Sequence, residues 1–296
     1  MAKALNISLI DEDVTRFFTD VIQQAINHRR ETGTKRNDFI DLILNAIRDE
    51  GKRGSKDVKE VEGDQFEKDA EVKSAPGLEG LSDEEFESLM VSNLFVFFFA
   101  GFETSSLFLS VILWVCARYP EEQERLRAEI DEYVEKNDGS TNLDYMSVQE
   151  MPFMDMFVSE ALRMYPITIL ERQCVKDYKV PGTNGVIKKG MIVQIPGFAI
   201  MKDPAYFENP EEFNPENFSP ESKAERNPYA FLIFGQGPRN CIGMRFALLM
   251  LKMCVVKLLH TYRILPSEKT PEKLEIDPLA PGGAPKGGTW IKLEKR

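Results

Sequence analysis

The stretch that decides the fold is Phe234-Gly235-Gln236-Gly237-Pro238-Arg239-Asn240-Cys241-Ile242-Gly243. Three glycines and a proline within ten residues predict a tight loop. Helical spacing of apolar residues resumes directly after it, from Met244. Cys241 is therefore expected at a helix N-terminus, where unpaired backbone N–H groups and the positive end of the helix dipole favour the thiolate. Such a thiolate can be a nucleophile or a metal ligand; the alternative is a buried cysteine behind a turn.

The nucleophile hypothesis needs a base, and His28 and His260 are the two histidines of the chain. About five helical turns separate His260 from Cys241, which argues against a Cys–His dyad. The other cysteines form no C-x-x-C pair, which argues against a structural zinc site. The sequence therefore favours a ligand role for Cys241.

A long helix is predicted over residues 82–118. Ser82-Asp83-Glu84-Glu85 has the pattern of a capping box, and Leu94–Phe102 is apolar on all sides, which is typical of a helix buried in a core. The rival interpretation is a membrane span over Leu94–Ala117. It would place Glu103 near the bilayer centre, at a cost of about 2.5–3.5 kcal/mol, so we favour the core helix.

The rest of the chain predicts an α+β fold in which helices predominate and a small antiparallel sheet follows them. Residues 51–80 are rich in charged residues and poor in apolar ones, a composition that predicts a mobile linker. The expected elements are helices within 11–49, the linker over 51–80, an E-x-x-R helix over 152–165, a small sheet over 170–197, an irregular segment with the cysteine loop over 202–240, a helix over 241–262 and a strand-rich tail over 263–296.

Composition narrows the class of protein further. The 296 residues include 37 Lys plus Arg and 48 Asp plus Glu, a net charge of −11, and an acidic chain of this kind is a poor general binder of nucleic acid. Four cysteines in this length are not a disulfide framework and suit a reducing, cytosol-facing environment. From the start at Met1 we expect no signal peptide and no N-terminal anchor.

Four motifs together resemble the cytochrome P450 family, in the family's order. Phe234-x-x-Gly237-x-Arg239-x-Cys241-x-Gly243 resembles its haem-binding loop, and Ala100-Gly101-Phe102-Glu103-Thr104 resembles its oxygen-activation motif. Glu160-Ala161-Leu162-Arg163 resembles its E-x-x-R pair, which alone is a weak signal, and Pro166 to Arg172 resembles the segment whose arginine meets a haem propionate. The resemblance runs from residue 11 to the C-terminus. It is to the C-terminal portion of the animal microsomal, xenobiotic-metabolising branch, so residues 1–296 are expected to be a partial cytochrome P450 domain.

The resemblance implies roles for named residues. Cys241 would be the axial ligand of the iron of haem b. Cofactor-binding positions would be Phe234, Gly237, Arg239, Cys241, Gly243 and Arg172. Catalytic positions would be Ala100, Gly101, Glu103 and Thr104. Glu160 and Arg163 would be structural. Physical chemistry agrees at Gly101, because a glycine inside a helix costs about 1 kcal/mol relative to alanine and leaves room for something flat.

The implied activity is that of a haem-thiolate monooxygenase, which inserts one oxygen atom from O2 into an apolar small molecule. Electrons would come from NADPH through NADPH–cytochrome P450 reductase, with cytochrome b5 as a further donor. The implied location is the cytosolic face of the endoplasmic reticulum membrane, with mitochondria as the alternative; membrane association would need the anchor missing from this chain. The alternative function is a non-catalytic haem-binding or inactive fragment, since the family's N-terminal substrate-binding half is missing.

Two local features add expectations. In Pro215-Glu216-Asn217-Phe218, Asn217 stands where the family usually has an arginine, which predicts a weaker Glu160–Arg163 element. From Arg226 to Ser267 there are six basic residues and no acidic one, which predicts a positive docking face for an acidic flavoprotein. The candidate docking residues are Arg245, Lys252 and Lys257.

Overall fold

The computed structural model describes residues 11–42, 44, 82–166, 170–277 and 283–296. It is mostly helical with small antiparallel sheets, as the α+β prediction requires. The predicted linker over 51–80 lies outside the described residues, as does most of 43–49. The chain divides into two compact units, Met1–Phe102 and Glu103–Arg296.

Along the described chain, helices come first, and two groups of strands follow with further helices between them. The helices are α1 (Glu12–Thr32), α2 (Asp83–Arg118), α3 (Pro120–Lys136), α4 (Tyr145–Gln149), α5 (Pro152–Met164), α6 (Gly197–Met201), α7 (Pro220–Glu225) and α8 (Met244–Thr261). The strands are β1 (Leu170–Gln173), β2 (Tyr178–Lys179), β3 (Val186–Ile187), β4 (Ile192–Ile195), β5 (Tyr262–Pro266) and β6 (Ile291–Lys295).

The first unit packs α1 against the start of α2. Asp11 caps α1 by accepting the N–H of Asp13, and Gly33 ends it with φ 65°, a left-handed conformation that favours glycine. Ile26 of α1 is buried with Met90, Val91 and Leu94 of α2. Residues 39–42 and 44 are helical, within the segment where a second helix is predicted.

Helix α2 begins with the predicted capping box. The N–H of Ser82 donates to Glu85 Oε2 over 2.9 Å, and the N–H of Glu85 donates to Ser82 Oγ over 3.3 Å. The expectation that Leu94–Phe102 is buried on all sides is wrong. Phe98, Phe99 and Phe102 are each more than half exposed, because an all-apolar stretch shows no face and the sequence alone does not say which side meets a neighbour.

The C-terminal half of α2 is buried in the core of the second unit. Its apolar residues from Phe108 to Ala117 pack with α3, α5 and α8 around Trp114, Phe157 and Leu251. Among the described residues, Glu87–Arg118 has the length and composition to cross a membrane, but a core helix meets the same criteria. The burial of this half agrees with the core interpretation.

Three two-stranded antiparallel sheets occur in the described part of the second unit. The predicted sheet over 170–197 is in fact two separate sheets: β1 pairs with β4, and the short hairpin β2–β3 pairs Tyr178 with Ile187. In the tail, β5 pairs with β6. Strands of two to five residues between Gly- and Pro-rich turns are too short to extend into a common ladder.

Several boundaries differ from the sequence prediction. Helix α8 begins at Met244 rather than 241, because Gly243 is its N-cap and the N–H of Cys241 is already bound to the carbonyl of Phe234. Helix α5 ends at Met164, two residues before Pro166, which disfavours helical backbone in the residue ahead of it. The segment 202–240, predicted to be irregular, contains α7 and two short 3₁₀ turns, each of which has proline in its first turn.

Candidate functional site

The loop before α8 holds Cys241 by backbone hydrogen bonds. The N–H of Cys241 donates to the carbonyl of Phe234 over 2.7 Å, and the N–H of Asn240 donates to Gly237 over 2.9 Å. The loop is anchored at its start, where Ile233 is buried in the core and Phe234 packs against it. Because both ends of the loop are fixed, the backbone at Cys241 is held in place.

Glycine is required at two points of this loop. Gly235 and Gly237 have φ 72° and 77°, in the left-handed region. A Cβ on Gly235 would lie 3.6 Å from the backbone of Asn240, so the turn closes tightly there, whereas a Cβ on Gly237 or Gly243 would meet nothing within 4 Å. The loop is thus close-packed at its base and open beside Cys241.

Among the four cysteines, Cys241 is the exposed one. Cys116 is fully buried, and burial raises the pKa of its thiol. Cys174 donates to the carbonyl of Lys176, and Cys254 is half-buried on α8. Accessibility therefore agrees with the prediction that Cys241 is the ligand.

The predicted propionate arginine lies on a strand beside the loop. Leu170 of β1 comes within 3.6 Å of the Cβ position of Gly235, and Arg172 is two residues along the same strand. Residues two apart point to the same face of a strand. Arg172 and Arg239 are both exposed, and Arg172 Nη1 donates to the carbonyl of Glu171.

The predicted oxygen-activation residues lie on one continuous helix. Ala100, Gly101, Glu103 and Thr104 belong to α2, and a Cβ on Gly101 would meet nothing within 4 Å. Glu103 is partly exposed and Thr104 exposed. Their proposed proton chemistry stays a prediction.

Glu160 and Arg163 form a completely buried ion pair. Arg163 Nε and Nη2 donate to the two carboxylate oxygens of Glu160 over 2.7 and 2.8 Å. Arg163 Nη1 donates to the carbonyls of Met201 and Pro210 over 2.8 and 2.9 Å. A buried pair stabilises only when its remaining donors and acceptors are satisfied, and here the arginine ties α5 to the segment that leads to the cysteine loop.

Asn217 is a partner of this pair. Its Nδ2 donates to Glu160 Oε1 over 3.0 Å, and the N–H of Asn214 donates to the same oxygen over 3.0 Å. The sequence motif shows residue 217 as a missing arginine, because the motif registers the lost charge but not the amide donor that replaces it. Arg226, which no sequence motif places here, donates to the carbonyl of Asn217 over 2.5 Å.

The structure corrects the predicted docking face at Lys252. Its side chain is 1% exposed, and its Nζ lies 3.3 Å from Asp155 Oδ1. Burial opposes ionisation of Asp155, but the ammonium groups of Lys223 and Lys252 outweigh burial and lower the pKa of Asp155. Lys252 therefore joins α8 to α5, and Arg245 and Lys257 remain as exposed basic residues of α8.

This arrangement fits a flat group ligated by sulfur. Such a group needs an accessible sulfur, a rigid backbone behind it and no side chains that fill the approach. The exposed Cys241, the backbone hydrogen bonds of its loop and the open Cβ positions of Gly237 and Gly243 meet the three requirements.

Comparison with known proteins agrees with this geometry. A family model described as Cytochrome P450 matches residues 10–286. The chain is 37% identical over 293 residues to Cytochrome P450 6B6 of Helicoverpa armigera, which covers 99% of this chain and 54% of that protein. It is 37% identical over 298 residues to Cytochrome P450 9e2 of Blattella germanica, and 37% identical over 275 residues to Cytochrome P450 3A13 of Mus musculus. The match to 9e2 covers 100% of this chain and 52% of that protein, and the match to 3A13 covers 92% of this chain and 48% of that protein. The chain therefore spans about half the length of these relatives.

Proposed function

This chain belongs to the cytochrome P450 family, and from that premise we propose that Cys241 ligates the iron of haem b in a monooxygenase site. The observation that carries the proposal is the exposed Cys241 at the end of a loop fixed by its own backbone. The proposed reaction inserts one oxygen atom of O2 into an apolar small molecule, while the other atom leaves as water. It consumes two electrons and two protons.

When bound, haem supplies an iron centre at which O2 is bound and reduced. The chain contributes the sulfur of Cys241, and the hydrogen bond from the N–H of Cys241 to the carbonyl of Phe234 holds the backbone at this residue. Gly237 and Gly243 leave the approach open, and Phe234 supports the loop from the core side. Arg172 and Arg239 supply guanidinium groups of the kind that bind carboxylates such as the haem propionates.

Proton handling is assigned to Glu103 and Thr104. A hydroxyl and a carboxylate in neighbouring positions can pass protons from solvent to a reacting oxygen, and both residues have solvent access. Ala100 and Gly101, without bulky side chains, complete the proposed catalytic motif. Gly101 leaves space beside the helix.

The proposed electron source is NADPH through a flavoprotein reductase, with cytochrome b5 as a further donor, at the cytosolic face of the endoplasmic reticulum. Support comes from exposed positive charge in the Cys241 loop and on the helix that follows it, at Arg239, Arg245 and Lys257, which would form the docking face. An acidic partner would be attracted to this face, with an effect screened beyond a Debye length of about 8 Å. Lys252 takes no part, because it is buried.

The test is the visible spectrum of the full chain, reduced and exposed to CO. We expect the red-shifted Soret band of thiolate ligation in the parent chain and its loss in Cys241→Ser. The matched control is Cys254→Ser on α8, which keeps the band. Loss of the band in Cys254→Ser, or its retention in Cys241→Ser, would refute the ligand assignment.

A second candidate is haem binding without monooxygenation. It is favoured by the exposure of Cys241 and the open space beside Gly237 and Gly243, because a site open to water does not shelter a substrate or a reactive oxygen species. The two candidates differ in the yield of oxygenated product per NADPH consumed. A thiolate-type spectrum with no product and with peroxide as the reduced species would favour the second.

A further inference from the structure

Arg226 is a charged residue that neither the sequence motifs nor the proposed reaction uses. It is the C-cap of α7 and is partly buried. Burial lowers the pKa of its guanidinium, while the negative charge of Glu160 opposes that shift. The charge of Arg226 therefore interacts with the buried pair, although Arg226 is 66 residues away from Glu160 in the chain.

The guanidinium of Arg226 is held by two aromatic rings. Its Cζ lies 4.4 Å from the ring centroid of Phe207 and 4.8 Å from that of Phe218, and both phenylalanines are buried. Contacts of this kind are favourable within about 6 Å of the centroid and strengthen when the cation is desolvated. Arg226 therefore closes the apolar cluster of Phe207, Phe218 and Ala230.

Arg163 stacks on the same ring. Its Cζ lies 4.9 Å from the centroid of Phe207, so the two guanidinium groups are within about 10 Å of each other. Two like charges at this distance in a partly dry site repel. The carboxylate of Glu160, which pairs directly with Arg163 and attracts Arg226, offsets that repulsion.

Arg226 also reaches the position that the family usually fills with arginine. Its Nη1 donates to the backbone carbonyl of Asn217, whose side chain donates to Glu160. The path Arg226–Asn217–Glu160 thus connects the second guanidinium to the buried carboxylate.

We propose that Arg226 is the second arginine of the Glu160–Arg163 site, and that it supplies from the end of α7 the positive charge that residue 217 does not. It is a positioning residue that fixes residues 207–230 ahead of the cysteine loop. The proposal concerns how the chain folds and does not depend on the proposed reaction.

The experiment compares thermal unfolding of the full chain and four variants by circular dichroism, with the haem content of each recorded. Arg226→Met keeps the side-chain length but removes the charge, and we expect it to lower Tm by about 5 °C. The matched control is Arg263→Met, which removes an exposed arginine paired with Glu124. We expect the control to lower Tm by about 1 °C, as is typical of exposed pairs.

Asn217→Arg then decides whether charge at 217 and charge at 226 are interchangeable. In the Arg226→Met background it should restore at least half of the lost Tm, whereas in the parent chain it should shift Tm by less than about 2 °C, because the carboxylate is already balanced. An equal shift in both backgrounds overturns the proposal, as does an effect of Arg226→Met no larger than that of Arg263→Met. Should Arg226→Met alone give no folded protein, recovery by Asn217→Arg supports the proposal and failure to recover contradicts it.

Discussion

The Glu160–Arg163 site and the Cys241 loop are built in opposite ways. Around Glu160 and Arg163 every donor and acceptor is matched within the chain, and both side chains are completely buried. Around Cys241 the backbone is equally well hydrogen-bonded, but the side chain and the space beside two glycines are open. The first site draws its stability from side chains and the second from backbone, so substitutions should affect them differently.

This difference assigns separate tasks to the two regions. A buried, fully paired charge specifies one arrangement of the chain, because removal of either partner leaves the other uncompensated. An exposed cysteine in a rigid loop contributes little to folding and is free to bind. Stability measurements should therefore respond to the first site, and haem spectra should respond most sharply to the second.

The largest expected effect is at the buried pair. Glu160→Ala leaves the Arg163 guanidinium buried without its carboxylate, and we expect a loss of about 3–5 kcal/mol in the free energy of unfolding. Cys241→Ser, measured in the haem-free chain, should change it by less than about 0.5 kcal/mol. Denaturant titration followed by tryptophan fluorescence measures both. A loss in Cys241→Ser comparable with that in Glu160→Ala would contradict the division between the two regions.

The sequence was sufficient for the features that glycine, proline and capping residues encode locally. It predicted the capping box at Ser82, strands within residues 170–197 and the tight loop ahead of Cys241. Local rules succeed there because a backbone conformation with positive φ, or an unpaired helix end, restricts which residue can occupy the position.

The sequence was not sufficient where the outcome depended on distant partners. Lys252 looks like an exposed basic residue until Asp155, 97 positions earlier, is brought against it. Arg226 carries no motif, and its stacking on Phe207 follows from the path of the chain between α6 and α7. The exposed side of α2 was unpredictable for the same reason, since an all-apolar stretch has no intrinsic inward face.

A medium effect is expected at Asp155, the partner of the buried Lys252. Asp155→Asn removes the carboxylate that faces the nearly inaccessible ammonium group of Lys252. We expect it to lower the free energy of unfolding by about 2 kcal/mol. This is less than the full cost of breaking a buried pair, because Asp155 itself is partly exposed. The matched control is Asp177→Asn, which breaks the exposed pair with Lys188 and should cost less than about 0.5 kcal/mol. Adding Lys252→Met to Asp155→Asn should recover stability, because no buried charge is left unpaired.

The same residue predicts a pH dependence. The pKa of Asp155 is lower in the folded chain than in the unfolded chain. Its contribution to the free energy of unfolding is therefore complete above the ordinary aspartate pKa of about 3.9 and is lost as the pH falls below about 4. Asp155→Asn should therefore narrow the difference in stability between pH 7 and pH 3. An unchanged difference would show that the carboxylate is not coupled to the two lysines.

A smaller loss of stability than at Glu160 or Asp155 is expected in the Cys241 loop, where a haem measurement separates the role of Gly237 in the turn from its role beside the cysteine. Gly237→Ala places a Cβ at φ 77°, and the control Gly139→Ala does so at φ 75° in the turn after α3. Neither Cβ meets an atom within 4 Å. Both substitutions should therefore lower the free energy of unfolding by about 1 kcal/mol, through backbone strain alone. Only Gly237 lies beside Cys241, so Gly237→Ala should also lower the haem retained per chain after gel filtration, while Gly139→Ala should retain as much as the parent. Equal retention in the two variants would mean that the open space beside Gly237 is not the approach to the cysteine, and that its glycine serves the turn alone.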